Sequence, residues 1–113
     1  MMPDSALRLI ICTAPDDAAA ALARKLLDAE LIGCANLLAG ARSLYRWAGE
    51  IQDDSETVML MECPVETTAT AVAALDAAHP YEVPKILVVA PEQVNQPYLD
   101  WLRGVAPAPA NEG

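Results

Sequence analysis

Leu7-Arg8-Leu9-Ile10-Ile11-Cys12, followed at once by Thr13-Ala14-Pro15-Asp16, joins an apolar run directly to residues that suit a helix start. Its first six residues are apolar apart from Arg8 and rich in branched side chains, as in a strand buried on both faces. Pro15 suits the first turn of a helix because it has no N–H to leave unpaired, and Thr13 or Asp16 can cap that turn. The spacing therefore predicts a strand that stops at Thr13 and a helix from Asp16 to Leu31, with Ala18, Ala19, Leu22, Leu26 and Ala29 on its inner stripe. Gly33 stands where a left-handed helix end is expected.

Outward from there, Cys34 to Trp47 reads as a strand with irregularities at Asn36 and Gly40, and Ala48-Gly49 turns it into a long hairpin. The return strand begins at Glu50-Ile51, is expected to bulge into solvent at Asp53-Asp54-Ser55-Glu56, and resumes over Thr57-Val58-Met59-Leu60-Met61 until Pro64. Val65 to Ala78 has the register of a weaker helix, ended by His79-Pro80. Lys85 to Pro91 is a further apolar strand, and Tyr98 to Leu102 a short C-terminal helix. This order is an α+β, ferredoxin-like βαββαβ sandwich with a long β2-β3 hairpin. One domain is expected over residues 7–104, with 1–6 as a flexible N-terminus and 105–113 as a mobile Pro/Ala tail.

Of the 113 residues 54% are hydrophobic, yet there is no Phe and Ala supplies much of the total, so a single copy builds a thin core. Leu9 to Cys12, Val58 to Met61 and Ile86 to Val89 show no apolar/polar alternation, and no further segment remains to form another layer. A second face that is apolar needs cover, and another copy of the same chain is the nearest source of it. An obligate homo-oligomer follows as an expectation. The longest run free of Asp, Glu, Lys and Arg is Leu31–Ala41, too short to span a bilayer. The opening residues lack the pattern of a secretory signal, so a cytoplasmic location is the expectation. Seven basic residues against 16 acidic ones, a net charge of −9, cannot supply a phosphate-binding stripe, so no nucleic acid is expected. Cys12, Cys34 and Cys63 form an odd set with no Cys-x-x-Cys and are expected as reduced thiols, Cys63 the most exposed. A single His and the lack of a phosphate loop or nucleophile–base pair leave no catalytic set, so no enzyme is expected.

Five segments together carry a resemblance: Cys12-Thr13-Ala14-Pro15-Asp16, Leu31-Ile32-Gly33-Cys34-Ala35-Asn36, Ser43 to Ile51, His79-Pro80-Tyr81-Glu82-Val83-Pro84-Lys85-Ile86, and Tyr98-Leu99-Asp100-Trp101-Leu102. In this order the chain resembles the CutA family of divalent-ion tolerance proteins over nearly all of Leu9–Leu102. The resemblance implies a trimer whose sheets pack together, binding of copper(II) or another divalent cation, and a role in metal tolerance. It also points to Cys12 and His79 as metal ligands, and places Ala78, which cannot coordinate, where a second histidine is expected. Sulfur and imidazole suit copper or zinc, but a closed site needs about four ligands, so Cys34, Glu82 or a neighbouring copy would have to contribute. Against the ligand reading, Cys12 and Cys34 can be small buried hydrophobes and His79 a helix-end residue bonded to free carbonyls. Tyr45 and Trp47 share one hairpin face, either as packing between copies or, with Tyr81, Glu82 and Tyr98, as walls of an inter-subunit cleft for a small molecule or protein partner.

Overall fold

The computed structural model describes residues 5–107. Seven elements run in the order β1 (Leu7–Pro15), α1 (Ala19–Asp28), β2 (Cys34–Trp47), β3 (Glu50–Pro64), α2 (Val65–Ala78), β4 (Ile86–Val89) and α3 (Gln96–Val105). They form one sheet of order β2-β3-β1-β4, with all neighbouring strands antiparallel. This is the expected ferredoxin-like arrangement, with α1 and α2 returning the chain across the same face of the sheet.

Register decides which side chains meet those helices. Ile10 and Cys12 stand opposite Met61 and Met59, and with Ala14 and Cys63 they face α1 and α2. Leu22, Ala23 and Leu26 of α1 and Ala71 and Leu75 of α2 close over them into the main core. The intervening residues, Leu9 and Ile11, line up with Leu60 of β3 and with Leu87 and Val89 of β4 on the opposite face. Leu38 joins them through Val58, so the missing alternation has its cause: the side of the sheet away from the helices is apolar too. Helix α3 covers only one end of it, where Leu99 and Leu102 pack on Leu7. Leu38 and Leu87 stay half exposed, at 52% and 50%.

The structure moves several expected boundaries. β1 continues through Thr13-Ala14-Pro15, because these residues pair with Val58, Thr57 and Glu56 of β3. The first helix accordingly begins at Ala19 and not at Asp16, with no side-chain cap. It ends three residues before Leu31, in paired bonds from Glu30 N–H to Leu27 O and Leu31 N–H to Leu26 O. Glu30, at φ +56°, takes the left-handed position expected of Gly33. The acidic segment Asp53–Glu56 is continuous strand; the irregularity lies across from it in β2, between Leu38 and Ala41, where Gly40 adopts φ +77°. Asn36 pairs regularly with Leu60. Cys63 is fully buried, being on the same strand parity as Met59 and Met61. Of the expected tail, Val105 closes α3 and Ala106 is buried, while 108–113 lie outside the described residues, as do 1–4 of the expected flexible N-terminus.

Beyond the pair Pro15–Glu56 the hairpin has no third strand among the described residues. Arg42 to Trp47 and Glu50 to Ser55 pair with each other, as a two-stranded arm running past the edge of the sheet.

Candidate functional site

His79 ends α2, and its ring reaches back to β1. The Tyr81 N–H donates to Nδ1 at 3.1 Å, which fixes the tautomer, so that Nε2 carries the proton and donates to the Thr13 carbonyl at 2.9 Å. The same carbonyl takes a weak bond from the Cys12 thiol at 3.5 Å. Cys12 and His79 are therefore neighbours, converging on one oxygen, and the ring's partner is a strand carbonyl rather than the free carbonyls of its own helix. Burial, with Glu56 adding to it and Lys85 opposing, pushes the Cys12 thiol up to about 11, so it stays protonated at neutral pH.

Cys34 stands elsewhere. It pairs with Glu62, which pairs with Leu9, so it lies on the face away from the helices, whereas Cys12 lies on the helix side two strands over. Among the described residues no group of three His, Cys, Asp or Glu side chains is placed to hold a metal ion. A protonated thiol, an imidazole with both nitrogens engaged and a cysteine on the opposite face do not fit a copper(II) or zinc site within one chain.

Three of the four expected cleft residues do come together. Trp47 on the arm faces the loop carrying Tyr81 and Glu82 across a pocket of about 770 Å³, whose floor includes Thr13 and Glu56 and whose rim includes Lys85. Tyr98 is remote from it, on α3, where its hydroxyl donates to Glu62 and its ring stacks on Trp101 at 5.6 Å. Glu62 and Glu56 are six residues apart on one strand, about 20 Å. Burial first, and then the bond to Glu62, holds the Tyr98 hydroxyl well above the usual phenol range.

Within the pocket the polar groups are ordered by short bonds. The Tyr81 hydroxyl donates to Glu56 at 2.6 Å, and Glu56 as a residue is only 5% exposed. Burial and this bond push the Tyr81 hydroxyl far up. The Tyr45 hydroxyl donates to Asp54 at 2.5 Å, which raises its pKa as well. Arg42 forms a fork with Asp53 at 2.9 and 2.8 Å. At the root of the arm Asp16 accepts from Thr57 at 2.6 Å, from Ser55 at 2.8 Å and from the Gly40 N–H at 3.3 Å, which lowers its pKa. Sequence reasoning missed Thr13, Glu56 and Lys85. Thr13 and Lys85 adjoin residues already singled out, but Glu56 was hidden in an acidic run that reads as solvated.

Known proteins agree with this architecture. The family model described as CutA1 divalent ion tolerance protein matches residues 8–105. The divalent-cation tolerance protein CutA of Pectobacterium atrosepticum is 42% identical over 95 residues, covering 83% of this chain and 86% of the relative. Its counterpart from Salmonella newport is 39% identical, with 83% of each covered. The crystal structure of CutA from Xylella fastidiosa superposes with a TM-score of 0.87 at 32% identity, over 90% of this chain and 99% of that one. A structure named as the periplasmic divalent cation tolerance protein CutA from Archaeoglobus fulgidus gives 0.84 at 28% identity, over 88% and 98%. Among the described residues no helix is long and apolar enough to cross a membrane.

Proposed function

Because the chain belongs to the CutA1 divalent ion tolerance family, we propose that it serves divalent-cation tolerance as a homotrimer, with a ligand pocket between each arm and the 79–85 loop of the same chain. The observation that carries this reading is the apolar face of the sheet, Leu9, Ile11, Leu38, Leu60, Leu87 and Val89, over which no element but the end of α3 packs among the described residues. The arm supports it: an isolated two-stranded ribbon is marginal in water and gains stability by lying against another surface. Sedimentation should give a particle of about 36 kDa, three times the 12.0 kDa chain. Leu38→Glu with Leu87→Glu should dissociate it, since both side chains are half exposed in the single chain and charge there harms only the assembly. A folded monomer at low micromolar concentration would refute the assembly.

Two routes to a ligand remain, and the geometry favours the pocket over chelation. Direct binding of copper(II) or a similar cation by Cys12 and His79 requires a thiolate from a thiol at about 11 and a ring nitrogen from a histidine bonded on both sides. The pocket, by contrast, is open, has aromatic walls and holds a nearly buried carboxylate. Copper titrations of the natural chain, His79→Ala and Cys12→Ser should be indistinguishable; a tight site lost in both variants would restore the chelate. The three unpaired cysteines agree with a reducing, cytoplasmic setting for this chain.

A further inference from the structure

Resting on the pocket reading, we propose that the cavity between the arm and the 79–85 loop takes a small zwitterion, an amino acid or a similar ammonium carboxylate: carboxylate on Lys85 and Thr13, ammonium toward Glu82, apolar part against Trp47 and Tyr45.

The pocket wall carries charged groups of both signs. Arg42 is engaged by Asp53, and Glu56 receives the Tyr81 hydroxyl. That leaves Lys85 and Glu82, one of each sign, on the same loop and both lining the pocket, with no ion pair among the described residues. A purely anionic ligand would meet Lys85 but also two carboxylates, Glu82 and Glu56. A purely cationic one would meet Lys85 as a repulsive neighbour. A molecule with one charge of each sign answers both.

Thr13 adds a second, independent pointer. It is 8% exposed, its strand parity turns its side chain to the pocket face of the sheet, and its hydroxyl has no hydrogen-bond partner among the described residues. That hydroxyl keeps access to the pocket, so a ligand oxygen there can supply the hydrogen bond that no described residue gives it. Across from it, Trp47 and Tyr45 offer flat apolar surface suited to a side chain, and ring faces that also favour a nearby ammonium.

Calorimetry on the assembled protein tests this, with a panel of L-amino acids, the N-acetyl and carboxamide forms of the best binder, and ATP and spermidine as charged compounds that are not zwitterions. An amino acid should bind, and masking either charge should weaken it by about tenfold or more, as when a polar site is left unpaired. Lys85→Met should abolish the preference for carboxylate over carboxamide while keeping that for free amine over N-acetyl, and Glu82→Gln should do the reverse. Both residues are exposed, so gel filtration of the variants should match the natural chain. Binding of ATP or spermidine alone, lost in Trp47→Ala, overturns the zwitterion and keeps the ligand pocket. No binding by any probe at millimolar concentration overturns both.

Discussion

Gly33→Ala should destabilise the protein through a single collision. Gly33 links α1 to β2, donates its N–H to Glu62 O at 2.9 Å, and faces α3. A Cβ added there would lie 2.4 Å from Leu102 Cδ1 and 2.9 Å from Val105 Cγ2, against an ordinary carbon contact of about 3.5–4.0 Å. A methyl at the end of a loose side chain would swing aside, but Leu102 is fully buried against Leu7 and Leu99. Overpacking of this kind costs about 1–3 kcal/mol, and the reduced freedom of the unfolded chain returns about 0.4–1 kcal/mol. The expected net loss is about 1–2 kcal/mol. Leu102→Ala alone should cost about 2–5 kcal/mol by leaving a cavity, and in the double variant the new methyl enters that cavity. The cycle should therefore show a favourable coupling of about 1–3 kcal/mol. Urea unfolding followed by far-ultraviolet circular dichroism, at one fixed protein concentration because assembly contributes to stability, measures all four proteins. A Gly33→Ala chain as stable as the natural one, or a double variant additive within about 0.5 kcal/mol, would show that Leu102 does not crowd this position.

Three further outcomes follow from local geometry. Ala48 and Gly49 both adopt positive φ, +53° and +80°, as a type I′ hairpin turn demands; Ala48→Asn should raise stability by up to about 1 kcal/mol, and an unchanged melting temperature would contradict that. The lowered pKa of Asp16 means its bonds to Thr57, Ser55 and Gly40 contribute stability above the ordinary carboxylate range, which is lost as pH falls through the folded value. Asp16→Asn should thus be less stable than the natural chain at pH 7, with the gap narrowing below about pH 4; an equal gap at both would remove the role given to that carboxylate. Thiol labelling of the native protein should proceed at Cys34 first, because Cys12 and Cys63 are buried and held protonated. Early modification of Cys12 would show that the core opens around it.

The order of elements, the hairpin and the whole of α2 were legible because each is written in local pattern: apolar runs, a Gly turn, and a helix stopped by His79-Pro80. The start of α1 was not. Thr13, Pro15 and Asp16 have the chemistry of a helix start, but pairing with Val58 and Glu56 and bonds to Ser55 and Thr57, some 40 residues away, claim them for the sheet. The acidic run was misread for a similar reason: on a two-stranded arm both faces are wet, so charge does not oppose strand, and Arg42 and Tyr45 opposite give Asp53 and Asp54 partners. Burial of Cys63 could have been read from its parity with Met59 and Met61. The proximity of Cys12 and His79 was legible only through family resemblance; that both converge on the Thr13 carbonyl, with no third ligand at hand among the described residues, is a fact of tertiary structure.

The arm also has a mechanical side. Its root is the bulge at Gly40, latched by one carboxylate, Asp16, and its free length from Ala41 to the turn is seven residues, about 23 Å of strand. It is a lever. A swing of about 10° at the root carries the Ala48-Gly49 tip through about 4 Å, comparable to the spacing of neighbouring strands. Trp47, near that tip, is also a wall of the pocket. Whatever fills the pocket therefore bears on the long end of a lever that is kinked in one strand at Gly40, continuous in the other, and held at its root by Asp16 and by the Tyr81–Glu56 bond.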